Sequence, residues 1–505
     1  MKTSLFESAS ALRGASRTAA TVLAALCLFL SVGLLSAQEY KEASVDDGLA
    51  GQKASTIGSN DSAKIKDFLT KYYLARWTVR DNGREIHKYR AELESDAVSL
   101  SGAAQDTFLK EVVAVLQSYA GSAKCYPACR FNAVLAIGCL DVAGGADRNT
   151  PGTPYADAIP VLAKICTSDK DVPDYVRYGA LIGLVRHAQL GIKDDSFRNG
   201  VKTTFAKVLD EKFAEQHNIR GEIYECFQEN AVIGLASFKS PEGTKGGTGT
   251  LDLFRKMIEN KDVSFELRCI AARAIGDMNL DSVAKYDYNG LAKSLVTLAR
   301  DFCVEESTYI DSELVRDQVK SAASGMGGAG GMGGMGGMSG GMGGMTGGMG
   351  GMSGGMTGGM DMAGGMGGMG GMSGGMGGGM GGTIQNQKSM ETIVARVQYG
   401  FECIQLAIKG VKNGGSGVKA KLDPNDEKQA DTIAMLDDTL KEFEDTNKFI
   451  AEGPKNGGGM MGGMMTGMND MGASGSSLKV DANSMKDHLL AKKIKFNELI
   501  GVESY

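Results

Sequence analysis

Histidine is scarce in this chain, with four in 505 residues: His87, His187, His217 and His488. No two lie closer than 30 positions, so no helical metal-ligand pair can be drawn from them. No Ser–His–Asp set can be nominated. Clusters of Lys and Arg are missing too, against a formal net charge of −6. Phosphate backbones are bound by clustered cations that release counterions, so nucleic acid is excluded as a partner. Beyond residue 35 no apolar run is long enough to span a bilayer. The glycine-rich GTKGGTGT from Gly243 to Thr250 lacks a GK[ST] ending and follows no strand pattern. It reads as an inter-helix loop and not as a phosphate cradle. Cys125-x-x-x-Cys129 has no second ligand pair at zinc-finger spacing. Nothing remains to nominate as a catalytic residue or a cofactor site, and the chain reads as a non-enzyme.

The N-terminus does carry a signal. Lys2, Arg13 and Arg17 precede an apolar run from Ala19 to Leu35, broken only by Thr21, Ser31 and Gly33. Small Ser36 and Ala37 follow, which is the order of a secretory signal peptide over 1–37, cleaved near Ala37. The alternative is an uncleaved anchor that leaves the chain facing outward. Leu26 before Cys27 is too large for lipoprotein processing. Cleavage leaves 468 residues with a net charge of about −8, no membrane segment and eight cysteines. Export makes disulfides accessible. Cys125 and Cys129 flank Pro127 at the start of a helix and are the candidate pair. The other cysteines sit in apolar helical patterns, as small buried hydrophobes do.

A repeat lies in the middle of the chain. RFNAVLAIGCL from Arg130, RYGALIGLVRH from Arg177, QENAVIGLASF from Gln228 and RCIAARAIGDM from Arg268 align without gaps. Three residues after each start stands Ala133, Ala180, Ala231 or Ala271. Six residues after stands Ala136, Gly183, Gly234 or Ala274, and seven after stands Ile137, Leu184, Leu235 or Ile275. The starts are 47, 51 and 40 residues apart. Offsets of 3, 6 and 7 fall on one side of a helix, so small residues admit a neighbouring helix and the large one fills the gap. A further helical stretch precedes each segment, as DAIPVLAKIC precedes Arg177 and LDLFRKMIEN precedes Arg268.

These residues resemble HEAT and armadillo-type repeats over roughly 123–303, in an exported, bacterial-type version with Gly/Met-rich inserts. Gln228 departs from the pattern by replacing Arg, with Glu229 beside it. The resemblance implies an all-α fold, an α-solenoid of stacked antiparallel helix pairs. It also implies that Arg130, Arg177 and Arg268 stabilise packing between repeats instead of binding a ligand. The His-Glu dipeptides used by di-iron hydroxylases built from HEAT-like repeats are absent.

The remaining organisation follows from composition. Residues 38–60 read as a flexible leader and 61–122 as an N-terminal helical cap, with one helix over 61–78 and Trp77 in its core. HEAT-like repeats occupy 123–322. From 323 to 383 the chain is nearly all Gly and Met, with 16 methionines from Met326 to Met380. Glycine costs about 1 kcal/mol per residue in a helix relative to Ala, so this insert is expected to be disordered. Helices over 384–455 continue the stack, a second Gly/Met-rich loop spans 456–478, and a last helix spans 479–505. Both tracts read as loops extruded from one continuing stack, since loop-closure entropy grows only with the logarithm of length.

The functional expectation is a scaffold that binds a protein or peptide partner on the solenoid surface. The alternative is soft-metal handling, because thioethers suit Cu(I). Met332, Met335, Met338, Met342 and Met345 are its candidate ligands. A sticky segment for self-association is a third reading of the tract.

Overall fold

The structure is a computed structural model that describes residues 40–145, 150–168, 172–243, 247, 249–283, 285–325, 381–411, 415–454 and 480–502; within these, no side chain of 317–325 or 381–389 is described. The signal segment, the methionines of the first tract and residues 455–479 of the second lie outside them. The described chain is predominantly helical and falls into two compact units, 1–140 and 141–505. The division follows the first repeat helix, which the sequence groups with the later repeats.

The first unit contains α1 (Lys53–Ile57), α2 (Ser62–Phe68), α3 (Ile86–Ser99), α4 (Gly102–Gly121) and α5 (Pro127–Cys139). Phe108, Leu109, Val112, Val113, Leu116 and Ala120 form the buried stripe of α4 at helical spacing. That stripe packs on α2 and α5. The expected single helix over 61–78 is corrected. After α2 the backbone widens at Leu69–Tyr73, where the Leu74 N–H reaches back to the Leu69 carbonyl at 2.9 Å, and then tightens at Ala75–Thr78. The extra residue in the turn sets Tyr72 and Tyr73 beside the Arg76 guanidinium, 4.9 and 5.1 Å from their ring centres. Trp77 is fully buried. Residues 40–60 of the leader bond to the rest of the unit. The Lys41 N–H donates to the Lys124 carbonyl at 2.9 Å, the Ala43 N–H to Thr78 Oγ1 at 2.8 Å, and Lys53 pairs with Glu92 and Asp96.

The second unit opens on β1 (Asp141–Ala143), antiparallel to β2 (Thr153–Pro154), so the fold is not wholly α. Elements this short leave no periodicity to read in sequence. Arg186 holds the ribbon by donating to both carboxylate oxygens of Asp141 at 2.8 Å. Among the described residues eleven α-helices follow: α6 (Ala158–Thr167), α7 (Asp174–Leu190), α8 (Asp195–Val208), α9 (Lys212–His217), α10 (Gly221–Ala236), α11 (Gly249–Glu259), α12 (Phe265–Asp277), α13 (Tyr288–Gly325), α14 (Gly381–Lys409), α15 (Glu427–Glu452) and α16 (Ala482–Ile500). Aspartates cap several starts: Asp194, Asp426 and Asp481 each accept an N–H three residues on.

The helix contacts form two sets. Consecutive partners pack as α6 on α7, α8 on α10, α11 on α12 and α13 on α14. Across them, α7 packs on α10, α10 on α12 and α12 on α14, in one unbroken row. Small residues permit the close approaches. A Cβ on Gly234 would collide with the Phe205 ring, and one on Gly276 with the Leu406 carbonyl.

The last four helices alternate in direction. Phe302 and Glu306 of α13 face Phe401 and Arg396 of α14, which sets those helices antiparallel. Phe443 and Thr446 of α15 face Phe496 and His488 of α16, and Lys486 of α16 reaches Asp311 of α13 at 2.6 Å. A chain of rings joins them: Phe265 to Phe302 at 4.5 Å, Phe302 to Phe401 at 5.2 Å, Phe401 to Phe443 at 4.5 Å and Phe443 to Phe496 at 5.9 Å. The alternation brings the C-terminal ends of α13 and α15 and the N-terminal starts of α14 and α16 to one end. The described residues that flank the two Gly/Met tracts therefore lie at that same end.

Candidate partner-binding face

The repeat positions have one structural role in common. Ala133, Ala180, Ala231 and Ala271 are fully buried, and so are their large partners Ile137, Leu184, Leu235 and Ile275. Arg130, Arg177 and Arg268 are also buried, and each guanidinium donates to a carbonyl in the last turn of the preceding helix. Arg130 Nε reaches the Ala120 carbonyl of α4 at 3.0 Å, Arg177 Nη1 the Cys166 carbonyl of α6 at 3.1 Å, and Arg268 Nε the Ile258 carbonyl of α11 at 2.8 Å. The final carbonyls of a helix have no intrahelical donor, and a buried cation there satisfies them and complements the helix dipole.

Gln228 breaks the pattern, and a residue that sequence reasoning missed takes over. Tyr224, one turn earlier on α10, donates its hydroxyl to the Val208 and Asp210 carbonyls, both at 2.9 Å. Val208 is the last residue of α8, so the same end group is met by a different donor. A signal was present in the sequence, since Tyr224 lies on the same helix face as Gln228, at i−4.

The opposite side of the row α7–α10–α12–α14 is where partly exposed side chains gather. Tyr178 on α7 lies tilted against Phe227, with ring centres 5.3 Å apart, and accepts from the Asn230 amide at 3.0 Å. On α10, Glu222, Glu225 and Glu229 are exposed beside Ile223. On α12, Glu266 and Arg273 are exposed. On α14, Arg396 bridges to Glu266 at 2.8 Å and to buried Glu306 at 2.6 Å, while Tyr399 stands 41% exposed. Burial raises the carboxyl pKa values of Glu229 and Asp277, and it also raises the phenol of Tyr178. These groups are partly desolvated before any partner arrives. Tyr and Arg are residues that protein interfaces favour, and the carboxylates around them suit a polar rim.

Other candidates are placed elsewhere. A cavity of about 190 Å³ between α11, α12 and α13 is lined by Ile258, Glu259, Lys261, Arg268, Lys293, Ser294, Thr297 and Asp301. It is smaller than a typical ligand pocket, and its charges answer one another: Arg268 meets Asp301 at 3.2 Å and Ser294 donates to Glu259 at 2.6 Å. His187 is buried, and neither ring nitrogen has a hydrogen-bond partner among the described residues. His488 stacks on Phe449 at 4.1 Å and meets Thr446 Oγ1 at 3.1 Å. Cys125 and Cys129 are both buried free thiols. The soft-metal candidates Met332, Met335, Met338, Met342 and Met345 lie outside the described residues. Among the described residues no group of three or more His, Cys, Asp or Glu is placed to hold a metal ion, and no helix is long and apolar enough to cross a membrane. No family model matches the chain, and neither a curated protein nor a solved structure matches it.

Proposed function

We propose that the chain is an exported, non-enzymatic scaffold: an α-solenoid of HEAT type that binds a protein or peptide along the exposed side of α7, α10, α12 and α14. One observation carries the reading, the unbroken row in which each of these helices packs on the next while leaving a mixed aromatic and acidic strip uncovered. Successive pairs of this kind extend a surface without needing a deep cleft, which is how repeat proteins hold elongated partners. The exposed Glu222, Glu225 and Glu229 on α10, with Ile223 and Tyr178 beside them, favour a segment that alternates apolar and basic side chains.

The test places a photo-crosslinking residue at single positions of the otherwise intact chain, expressed in its native envelope. Positions 273 and 399 lie on the strip, whereas 207 and 256 are exposed on α8 and α11, outside the row. The expected result is a discrete crosslinked partner from the first two positions and none from the second two. Equal labelling from both sets, or none from either, removes the proposal.

A further inference from the structure

The cavity of about 190 Å³ between α11, α12 and α13 has no part in the partner-binding strip, and its carboxylates are answered unevenly. Asp301 is engaged on both oxygens, by Arg300 Nη2 at 2.6 Å and Arg268 Nη2 at 3.2 Å. Glu259 accepts at Oε1 alone, from Arg255 at 2.8 Å and Ser294 at 2.6 Å, so Oε2 has no donor among the described residues. Several donors on the same wall are also left over. Lys261, in the turn between α11 and α12, and Lys293 on α13 are exposed and form no ion pair or hydrogen bond among the described residues. Asp287, whose field reaches Lys293, is already paired with Arg255 at 3.1 Å. Thr297 stands one turn beyond Lys293 on the same helix face. Helical Thr204, Thr308 and Thr439 each donate to the carbonyl four residues back, whereas the Thr297 hydroxyl has no partner among the described residues. Arg268 is 5% exposed and gives Nε to the Ile258 carbonyl, which leaves Nη1 without an acceptor among the described residues.

We propose that this cavity binds inorganic phosphate as the hydrogenphosphate ion. Among the groups just named, Arg255, Lys261, Arg268, Lys293 and Arg300 outnumber Glu259, Asp287 and Asp301, in a chain whose net charge is −6. That local surplus of positive charge favours an anion. Lys261, Lys293, Arg268 Nη1 and the Thr297 hydroxyl supply donors to the phosphate oxygens, and bonds from ammonium and guanidinium groups to oxyanions are strong ones. Glu259 Oε2 supplies one acceptor. A carboxylate beside an anion repels it unless the anion brings a proton to donate. Phosphate keeps a proton near neutral pH and sulfate keeps none. The wall that receives the P–OH group therefore rejects sulfate, an ion of similar size and shape. The cavity is too small for a nucleotide but suits an ion of this size.

The experiment titrates the folded full-length protein with inorganic phosphate, and separately with sulfate, in a phosphate-free buffer near neutral pH, and follows binding by isothermal calorimetry. The wild type is expected to bind phosphate about tenfold or more tightly than sulfate. The double variant Lys261→Gln/Lys293→Gln is expected to lose phosphate affinity by about tenfold or more. Glu259→Gln is expected to narrow the preference for phosphate over sulfate, because an amide no longer repels the unprotonated ion. Absence of phosphate binding to the wild type at millimolar concentrations overturns the proposal, and so does equal binding of the two ions. Undiminished phosphate binding by the double lysine variant overturns it as well, since the ion then sits elsewhere. An unchanged preference in folded Glu259→Gln does the same. Both lysines are exposed and unpaired, so the double variant keeps the packing of the three helices, and the wild-type titration decides the matter even if Glu259→Gln fails to fold.

Discussion

At residue scale, His187 shows how burial alone sets a pH response. It sits in the last turn of α7, is enclosed, and has no partner on either nitrogen. Burial, aided by the neighbouring Arg186 charge, lowers its pKa from the ordinary 6.5 to about 4. Between those values the unfolded chain takes up a proton that the folded chain refuses. The stability associated with neutral His187 is therefore complete above about pH 6.5 and is lost progressively as pH falls toward 4. The full span is on the order of 3 kcal/mol. His187→Leu should flatten the loss of stability between pH 6.5 and 4 in urea-unfolding series, leaving stability at pH 8 nearly unchanged. An unaltered acid profile in the variant would place the acid sensitivity elsewhere.

At element scale, the joint between each repeat helix and the helix before it depends on one buried donor. Arg177 donates to the Cys166 carbonyl at 3.1 Å and to the Val172 carbonyl at 3.1 Å, and it is 2% exposed. Removing it strands two carbonyls away from water, so Arg177→Ala should cost about 2–4 kcal/mol. Tyr224→Phe removes a single hydroxyl from half-exposed surroundings and should cost about 1 kcal/mol. Denaturant midpoints for the two variants, measured with unchanged helical content in the native baseline, check the ordering. The reverse ordering would mean that the tyrosine joint, and not the arginine joint, is the tighter one.

At the scale of the second unit as a whole, the chain crosses between α13 and α14 through 326–380, yet the two helices share one core. Phe401 and Val397 are buried, and Arg396 reaches Glu306 across 90 positions of sequence. Glu306 is buried while Arg396 is about a third exposed, so breaking the pair costs less than the about 3–5 kcal/mol of a fully buried one, whereas truncating a core Phe costs about 3–5 kcal/mol. A protease site engineered within 326–380 and cut in the folded protein should leave two fragments that elute together and keep their helical signal. They should separate only in denaturant. Release of a folded C-terminal fragment without denaturant would show that α14–α16 form an independent module.

Helical periodicity is a property of a few consecutive residues, and for that reason the sequence by itself determined most of the helices and which side of each repeat helix is buried. Ala133, Ala180, Ala231 and Ala271 could be placed on a common face without any knowledge of what they touch. The wide turn at Leu69–Tyr73 and the short β1–β2 ribbon escaped the same reading, because each is decided by side chains that meet it from elsewhere: Tyr89 and Glu92 at Arg76, Arg186 at Asp141. The candidate face was legible only as a role, not as residues, since exposure on α7, α10, α12 and α14 depends on which neighbours cover them. Only the tertiary structure decided that Tyr224 stands in for an arginine and that Phe302 and Phe401 share a core across the Gly/Met tract. Contacts between distant positions are set by packing many surfaces at once, and a local pattern of apolar and polar residues carries no record of the partner.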